Sequence, residues 1–414
     1  MGRKPVIAGA AIFALAFVGG AAFAANRFVI TNIGQIKPNG STAVAPAGPG
    51  ISADIGQIAF ISVISGPTAR PVLRLELVHP DGSDLRPVGH AECFVGHDCF
   101  AWSPDGKQLA YLAGPSRFHN PSFHSTLYLV GAEGQHPRKL TVCGYCEGVS
   151  WSPDGSQIAV GRYGAGLVNV WVVNAKTGAM RRITDCQPTS TCGAAGFVFA
   201  FQMEWSPDGR TIFFIRDSDH HGSIADALFT VRPDGSDLTE LKVPDPGIAY
   251  WSPDGRELAV NAANGVYIVD AAGTVRELTK LRGAGGIAWS PDSRDLAIAA
   301  AGGIYTINAD GKRLTHLADR ASGPAWSPNG KQLAYDGSVP KGVHGIWTIN
   351  ADGSGRRLIY KTRATVPMWS PNGSQLAFSS KEGTYVVNAN GNDLHRIGQP
   401  SFGALAWQPM PSTG

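Results

Sequence analysis

Short apolar runs separated by polar turns follow one another along most of the chain, and eight of these runs end at a tryptophan. In six of them the tryptophan opens the motif Trp-Ser-Pro-(Asp/Asn)-Gly, a seventh reads WSPDS and the eighth reads WQPMP. The eight are Trp102, Trp151, Trp205, Trp251, Trp289, Trp326, Trp369 and Trp407. They lie 37 to 54 residues apart, and self-similarity at such a period indicates a repeat architecture.

The motif predicts a tight turn between two strands. Proline presets φ at the first central position, aspartate suits the second, and glycine then takes a positive φ. The residues that follow, such as KQLAYLA from Lys107 and RELAVNA from Arg256, alternate or run apolar as strands do. A second turn, for example VRPDG at Gly235 and INADG at Gly311, recurs eight times and precedes another short strand. Each repeat is therefore predicted to hold four strands.

Four-stranded repeats at this period predict an all-β fold, a β-propeller of four-stranded antiparallel blades. The three strands that begin near Gln57 have no tryptophan strand ahead of them, and the strand at 404–407 has no three strands after it. We therefore expect the C-terminal strand to pair with the N-terminal blade and close the ring, which leaves no unpaired inner edge. The count predicts eight blades, with seven as the alternative if the segment 184–202 holds an irregular blade.

These WSPDG repeats resemble those of the TolB propeller of the Tol–Pal system and of the propeller domains of prolyl oligopeptidase and dipeptidyl peptidase IV enzymes. The resemblance covers residues 57–407 and implies the fold rather than a function. TolB carries an α/β domain before its propeller, whereas only residues 25–54 stand between the leader and the first strand here. The peptidases carry a hydrolase domain with a Gly-x-Ser-x-Gly turn, and no such motif occurs in this sequence. The resemblance therefore implies a propeller without either extra domain, at 55–410.

The N-terminus has the three parts of a secretory signal. Arg3 and Lys4 form a charged start, an apolar stretch follows, and an A-x-A-like site ends at Ala24. The apolar stretch is also long enough to span a bilayer, so an uncleaved membrane anchor is the alternative. Either reading of 1–24 predicts an exported protein, periplasmic or extracellular, with a flexible Gly/Pro/Ser/Ala-rich spacer at 25–54. The formal net charge of +3 falls to +1 without the leader, and without a basic cluster nothing favours nucleic acid as a partner.

The six cysteines form three close pairs at the same place in successive repeats: Cys93 and Cys99, Cys143 and Cys146, Cys186 and Cys192. An even number, paired spacing and an exported chain predict structural disulfides. Pairing within each loop is a preference, because six cysteines allow 15 connectivities. Redox activity of the CGYC pair and zinc binding are the alternatives.

The connections of a blade fall on two sides of the ring. The SPDG turns and the second turns lie on one side, which we call the turn face. The connections after the second strand and between blades lie on the other, the loop face, which carries the irregular sequence at 88–100, 112–125, 184–202, 216–226 and 336–344. Irregular loops are where binding is usually placed. The candidate binding residues there are His97, Asp98, Phe118, His119, Phe123, His124, Tyr145, Asp217, Asp219, His220, His221 and His344.

Two functions from different classes fit these features. The first is a non-catalytic scaffold whose loop face binds a protein, a peptide or a cell-envelope glycan, with Phe118, Phe123 and Tyr145 as its apolar part. The second is a metal-dependent lyase or lactonase at the central channel, with the loop histidines and Asp217 and Asp219 as ligands. No ordered ligand motif is present, so no cofactor is expected and the scaffold is preferred. The repeated tryptophans are expected to pack between blades.

Overall fold

The computed structural model describes residues 55–65, 71–91, 99–114, 125–164, 167–187, 190, 192, 199–217, 226–339, 342–364 and 367–410. The predicted signal or anchor and the spacer therefore lie outside the described residues. Within these residues the chain forms 31 β-strands in seven hydrogen-bonded sheets, and every pairing is antiparallel. The all-β prediction is confirmed.

The strands follow one another with short connections through most of the chain. They are β1 (Ile58–Ser65), β2 (Pro71–Val78), β3 (Arg86–His90), β4 (Phe100–Trp102), β5 (Gln108–Ala113), β6 (Ser125–Gly131), β7 (Arg138–Trp151), β8 (Gln157–Gly164), β9 (Leu167–Asn174), β10 (Met180–Arg182), β11 (Phe199–Trp205), β12 (Ile212–Asp217), β13 (Ala227–Val231), β14 (Thr239–Leu241), β15 (Pro246–Trp251), β16 (Glu257–Ala262), β17 (Gly265–Asp270), β18 (Val275–Thr279), β19 (Gly286–Trp289), β20 (Asp295–Ala300), β21 (Gly303–Asn308), β22 (Thr315–Asp319), β23 (Ala321–Trp326), β24 (Gln332–Val339), β25 (Val343–Asn350), β26 (Arg357–Tyr360), β27 (Met368–Trp369), β28 (Gln375–Ser380), β29 (Gly383–Asn388), β30 (His395–Gly398) and β31 (Ser401–Trp407). Five of the four-stranded sheets are consecutive meanders that start with a tryptophan strand: β11 to β14, β15 to β18, β19 to β22, β23 to β26 and β27 to β30.

The two ends of the chain meet in one sheet, in the order β3-β2-β1-β31. Strand β31 pairs with β1, with Trp407 opposite Ile58. Gln408 extends this closure, since its backbone N–H donates to the Gln57 carbonyl at 2.7 Å and its side-chain oxygen accepts from the Gln57 N–H at 2.8 Å. The predicted pairing of the C-terminal strand with the N-terminal strands is confirmed, and the fold is a β-propeller closed by that pairing.

Strand β7 runs unbroken from one four-stranded unit into the next. Its first half pairs with β6 as far as Gly144, opposite Ser125, and its second half pairs with β8 from Tyr145, opposite Tyr163. The seven-stranded sheet β4 to β10 therefore contains two sets of four strands that share β7. For this reason the number of hydrogen-bonded sheets does not by itself give the number of blades.

The SPDG turns owe their regularity to a serine–aspartate hydrogen bond. In the first, Ser103 Oγ donates to Asp105 Oδ1 at 2.7 Å and accepts from the Gln108 N–H at 2.9 Å. The same serine-to-aspartate or serine-to-asparagine bond recurs in the six later turns. The last residue of the turn has a positive φ, and Ser293, at 61°, takes the place that glycine holds elsewhere. Its hydroxyl accepts from the Asp254 N–H of the neighbouring turn at 3.1 Å, which offsets part of the backbone strain.

The tryptophans at the ends of the inner strands link each unit to the one before it. Six indole Nε1–H groups donate to a backbone carbonyl of the unit before their own. The acceptor is in each case the residue directly before that unit's own tryptophan. The bonds run Trp102 to Ala406, Trp151 to Ala101, Trp289 to Tyr250, Trp326 to Ala288, Trp369 to Ala325 and Trp407 to Met368. The Nε1 atoms of Trp205 and Trp251 are buried and have no hydrogen-bond partner among the described residues. The expectation that these tryptophans pack between units is confirmed, and the two without a bond end β11 and β15, the first strands of two consecutive units.

Candidate functional site

Most of the irregular connections of the loop face lie in the first half of the chain. On this face, two-residue hairpins join β16 to β17, β20 to β21 and β28 to β29. The corresponding connections after β5 and after β12 cover 114–124 and 218–226. Strands β7 to β10 lie between these two long connections in the chain order. The described side chains of these strands at the loop face are therefore the first candidates for a binding surface.

Two tyrosines stand side by side where β7 crosses the loop face. Tyr145 lies opposite Tyr163 in the register of β7 and β8, and their rings meet edge to face with centroids 5.6 Å apart. Gly144 and Gly148 have φ values of 73° and 68°, so the strand bends on both sides of Tyr145. Both rings are half-buried, and burial raises the pKa of Tyr163. The pair offers rigid aromatic area that carries two hydroxyl groups, which suits a partner surface.

The opposite side of the same strands carries an arginine and a tryptophan. The Arg162 guanidinium lies 4.9 Å from the centroid of the Trp171 ring. Arg162 pairs across the sheet with Cys146, and Trp171 packs on the buried cluster that contains both Cys143 and Cys146. Trp171 is therefore a packing residue. The side chains of this unit therefore present Tyr145 and Tyr163 on one side and Arg162 on the other.

The cysteines do not all form the expected disulfides. Cys186 and Cys192 are bonded, with their Cα atoms 5.2 Å apart, and Cys99 is disulfide-bonded as well; Cys93 lies outside the described residues. Cys143 and Cys146 are free thiols, which corrects the expectation for this pair. Both are buried within a continuous strand, and each donates to a backbone carbonyl: Cys146 Sγ to Cys143 O at 3.0 Å and Cys143 Sγ to Ser125 O at 3.6 Å.

A second polar group lies on the loop face at the unit β23 to β26. Asp336 of β24 is opposite Ser322 of β23, and His344 of β25 is opposite Ser338 on the same side of the sheet. Burial raises the pKa of Asp336 to about 6, although hydrogen bonds from Ser322 and from the backbone at Gly337 and the charge of Arg363 oppose this shift. A partly buried carboxyl that titrates near neutral pH marks a candidate functional residue.

The turn face has a shallow groove of about 520 Å³, but its acids already have partners. It is lined by Asp254, Arg256, Glu257, Asp270, Ala271, Ala272 and Ser293. Asp254 accepts from Ser252 Oγ at 2.7 Å and Asp270 accepts from the Thr274 N–H at 2.9 Å. These carboxylates stabilise their own turns, so the groove is not the preferred site.

Of the twelve candidate binding residues, the structure describes three. Tyr145 and His344 lie on the two parts of the loop face described above, and Asp217 is the last residue of β12. The other nine, His97, Asp98, Phe118, His119, Phe123, His124, Asp219, His220 and His221, lie outside the described residues. Sequence reasoning missed Tyr163 and Arg162, because their place beside Tyr145 and Trp171 follows from strand register. The one available signal was the segment RYGAGLVNVW, in which Gly-Ala-Gly between two apolar runs predicts a hairpin.

The described residues hold neither a cluster of metal ligands nor a membrane-spanning helix. No group of three or more histidine, cysteine, aspartate or glutamate side chains among them could hold a metal ion. Within the same part of the chain, no helix is long and apolar enough to cross a membrane.

Comparison with known proteins supports the fold and leaves the family open. No family model matches the chain. A curated relative, the uncharacterized peptidase YuxL of Bacillus subtilis (strain 168), is 28% identical over 179 residues, which cover 41% of this chain and 25% of the relative. The chain thus spans about a quarter of that relative's length.

Solved structures match over more of the chain at low identity. The dihydro-heme d1 dehydrogenase NirN aligns with a TM-score of 0.61 at 14% identity, over 89% of this chain and 78% of NirN. Porphyromonas gingivalis dipeptidyl peptidase 4 aligns with a TM-score of 0.56 at 13% identity, over 81% of this chain and 59% of the peptidase. TolB from Acinetobacter baumannii aligns over 89% of each chain at 13% identity with a TM-score of 0.42. The resemblance to peptidase propellers is confirmed for the fold, and at this identity it extends no further.

Proposed function

We propose that this chain is an exported, eight-bladed β-propeller whose loop face binds a protein, a peptide or a cell-envelope glycan without catalysing a reaction. The proposal depends most on one observation, the half-buried Tyr145–Tyr163 pair at the point where β7 crosses the loop face. Tyrosine is enriched in binding hot spots because it brings a large rigid ring and a hydroxyl with little loss of conformational entropy.

The count of eight is supported by the inner strands. Eight tryptophans occupy equivalent positions, and the indoles of six donate a hydrogen bond to the backbone of the preceding unit. The series continues where the chain ends meet, since Trp102 donates to Ala406 and Trp407 donates to Met368. The division of the seven-stranded sheet at Gly144 and Tyr145 supplies the second and third of eight units. Seven blades were the alternative if the segment 184–202 held an irregular blade. In the chain order this segment leads from β10 into β11.

The place of the surface is supported by what surrounds it. The long connections 114–124 and 218–226 belong to the units before and after the one that carries Tyr163, and long loops on a rigid scaffold are common binding elements. Arg162 is held over Trp171, so its charge is presented at low entropic cost. The regular hairpins of the second half offer no comparable variation.

Site-specific photocross-linking tests the proposal. A benzoylphenylalanine placed at Tyr145 keeps an aromatic ring at the position, and the same group at the exposed Lys312 on the turn face is the matched control. Irradiation of cells that export the protein should give cross-linked products at position 145 and none at 312, with the captured molecule identified by mass spectrometry. Equal capture at both positions, or none at 145, would contradict the proposed surface.

A further inference from the structure

Cys143 and Cys146 differ from the other described cysteines of the chain. Cys186 and Cys192 are bonded and Cys99 is bonded as well, whereas the thiols of Cys143 and Cys146 are free. The two free thiols are 0% and 3% exposed. The described residues therefore combine the bridged pair Cys186–Cys192 with an unbridged pair inside a strand.

The local geometry brings the two thiols together. Residues three apart in a regular strand are separated by about 10 Å. Gly144, with a φ of 73°, bends β7 between the cysteines, and Cys146 Sγ reaches the Cys143 carbonyl at 3.0 Å. Burial, with the neighbouring Cys143 thiol as the next cause, raises the pKa of Cys146 well above its ordinary value, so the thiols are close to each other but slow to react while the segment 142–148 is closed.

We infer that Cys143 and Cys146 form a reversible disulfide that modifies the Tyr145 surface, an inference that rests on the proposed function. The oxidant is a low-molecular-weight disulfide such as glutathione disulfide. One cysteine thiolate attacks it and releases one glutathione thiol, and the second cysteine then attacks the mixed disulfide and releases the other. Two electrons pass from the two cysteines to the oxidant, and the two cysteine protons leave with the two glutathione thiols or with solvent.

Tyr145 lies between the two cysteines, so bridge formation must affect its position. Each sulfur would exchange its carbonyl contact, to Ser125 or to Cys143, for a bond of about 2 Å to the other sulfur. Gly144 and Tyr145 are the two residues between the bridged cysteines. Cys146 lies opposite Arg162 and Tyr145 lies opposite Tyr163, so a shift of Cys146 along the strand also shifts Tyr145 relative to Tyr163. Oxidation is therefore expected to alter the Tyr145–Tyr163 contact and to lower partner capture at this surface.

Thiol mapping of the folded full-length protein tests the chemistry without any variant. The protein is incubated with glutathione disulfide or with dithiothreitol at graded concentrations, then alkylated in denaturant and digested. We expect the peptide that contains 143 and 146 to lose both alkylatable thiols in the oxidant and to regain them at a dithiothreitol concentration that leaves Cys186–Cys192 intact. Two thiols that persist at every oxidant concentration would overturn the inference, as would a bridge that resists reduction as strongly as Cys186–Cys192.

The effect on the surface is measured with the cross-linker at position 145. Capture is expected to fall several-fold after oxidation and to recover after mild reduction. In a Cys143→Ser, Cys146→Ser variant, capture should not depend on redox treatment. Bridge formation with unchanged capture refutes the inference and leaves the proposed function standing. No capture in either redox state refutes the proposed function, and with it the effect on the surface, while the mapping still reports whether the bridge forms.

Discussion

Asp336 provides the sharpest test of how burial acts on this protein. Its carboxyl has a pKa of about 6 against an ordinary value of 3.8, and each tenfold change in proton affinity corresponds to about 1.4 kcal/mol. The shift corresponds to a loss of folding free energy of about 3 kcal/mol when the side chain is ionised above pH 7. Solvent screening of the partly exposed carboxylate lowers this cost to about 2 kcal/mol. An asparagine at this position would keep the shape and an oxygen acceptor for Ser322 but remove the charge. We expect Asp336→Asn to stabilise the folded state by about this amount at pH 8.

The pH dependence separates this cause from others. The pKa is higher in the folded than in the unfolded chain, so the folded state binds more protons between about pH 4 and pH 6. The stability of the wild type should fall as pH rises through this range, and the gain from Asp336→Asn should vanish near pH 4. Urea unfolding followed by tryptophan fluorescence at pH 4, 6 and 8 gives the midpoint shifts.

A matched control comes from the same sheet. Asp352, in the turn between β25 and β26, accepts from Ser354, and this hydrogen bond lowers its pKa. Asp352→Ala should therefore destabilise the folded state at pH 8, whereas Asp336→Asn should stabilise it. A gain from Asp336→Asn that is equal at pH 4 and pH 8, or a loss at pH 8, would refute the argument from burial.

Two further predictions concern the repeat itself. Trp289→Phe removes an indole hydrogen bond of 2.9 Å to Tyr250 O, whereas Trp251→Phe removes an indole N–H that has no partner in the described part of the chain. Urea unfolding at pH 7 should show a loss of stability about 1 kcal/mol larger for Trp289→Phe, and equal losses would exclude a stabilising role for the bond. Asp154 accepts from Ser152 Oγ at 2.6 Å and that bond lowers its pKa, so Asp154→Ala should destabilise at pH 7. A lowered folded pKa gives stability that is lost as pH falls from about 4 through the folded pKa. The difference in stability between the wild type and Asp154→Ala should therefore shrink as the pH of the unfolding experiment is lowered below about 4, and a constant difference would contradict the assignment.

Much of the architecture follows from the sequence because it is built from local chemistry. The Ser-Pro-Asp-Gly turn needs only the order of its residues, since the Ser103–Asp105 bond and the positive φ of Gly106 lie within one turn. The alternation of apolar residues gives the strands, and the unmatched first and last segments give the closure of β31 on β1. The irregular half of the loop face was also predicted, because irregularity is visible wherever the repeat is lengthened.

The tertiary structure decided what depends on distant residues. Strand register placed Tyr163 beside Tyr145, and sequence spacing alone does not reveal a cross-strand neighbour. Burial between units raised the pKa of Asp336, which in the sequence is one aspartate among many. Cys143 and Cys146 are spaced like a disulfide pair, but the continuous strand that holds them leaves both as thiols bonded to carbonyls. Turns and strands follow from local preferences, whereas the charge state and the partners of a side chain depend on residues that are brought near it by folding.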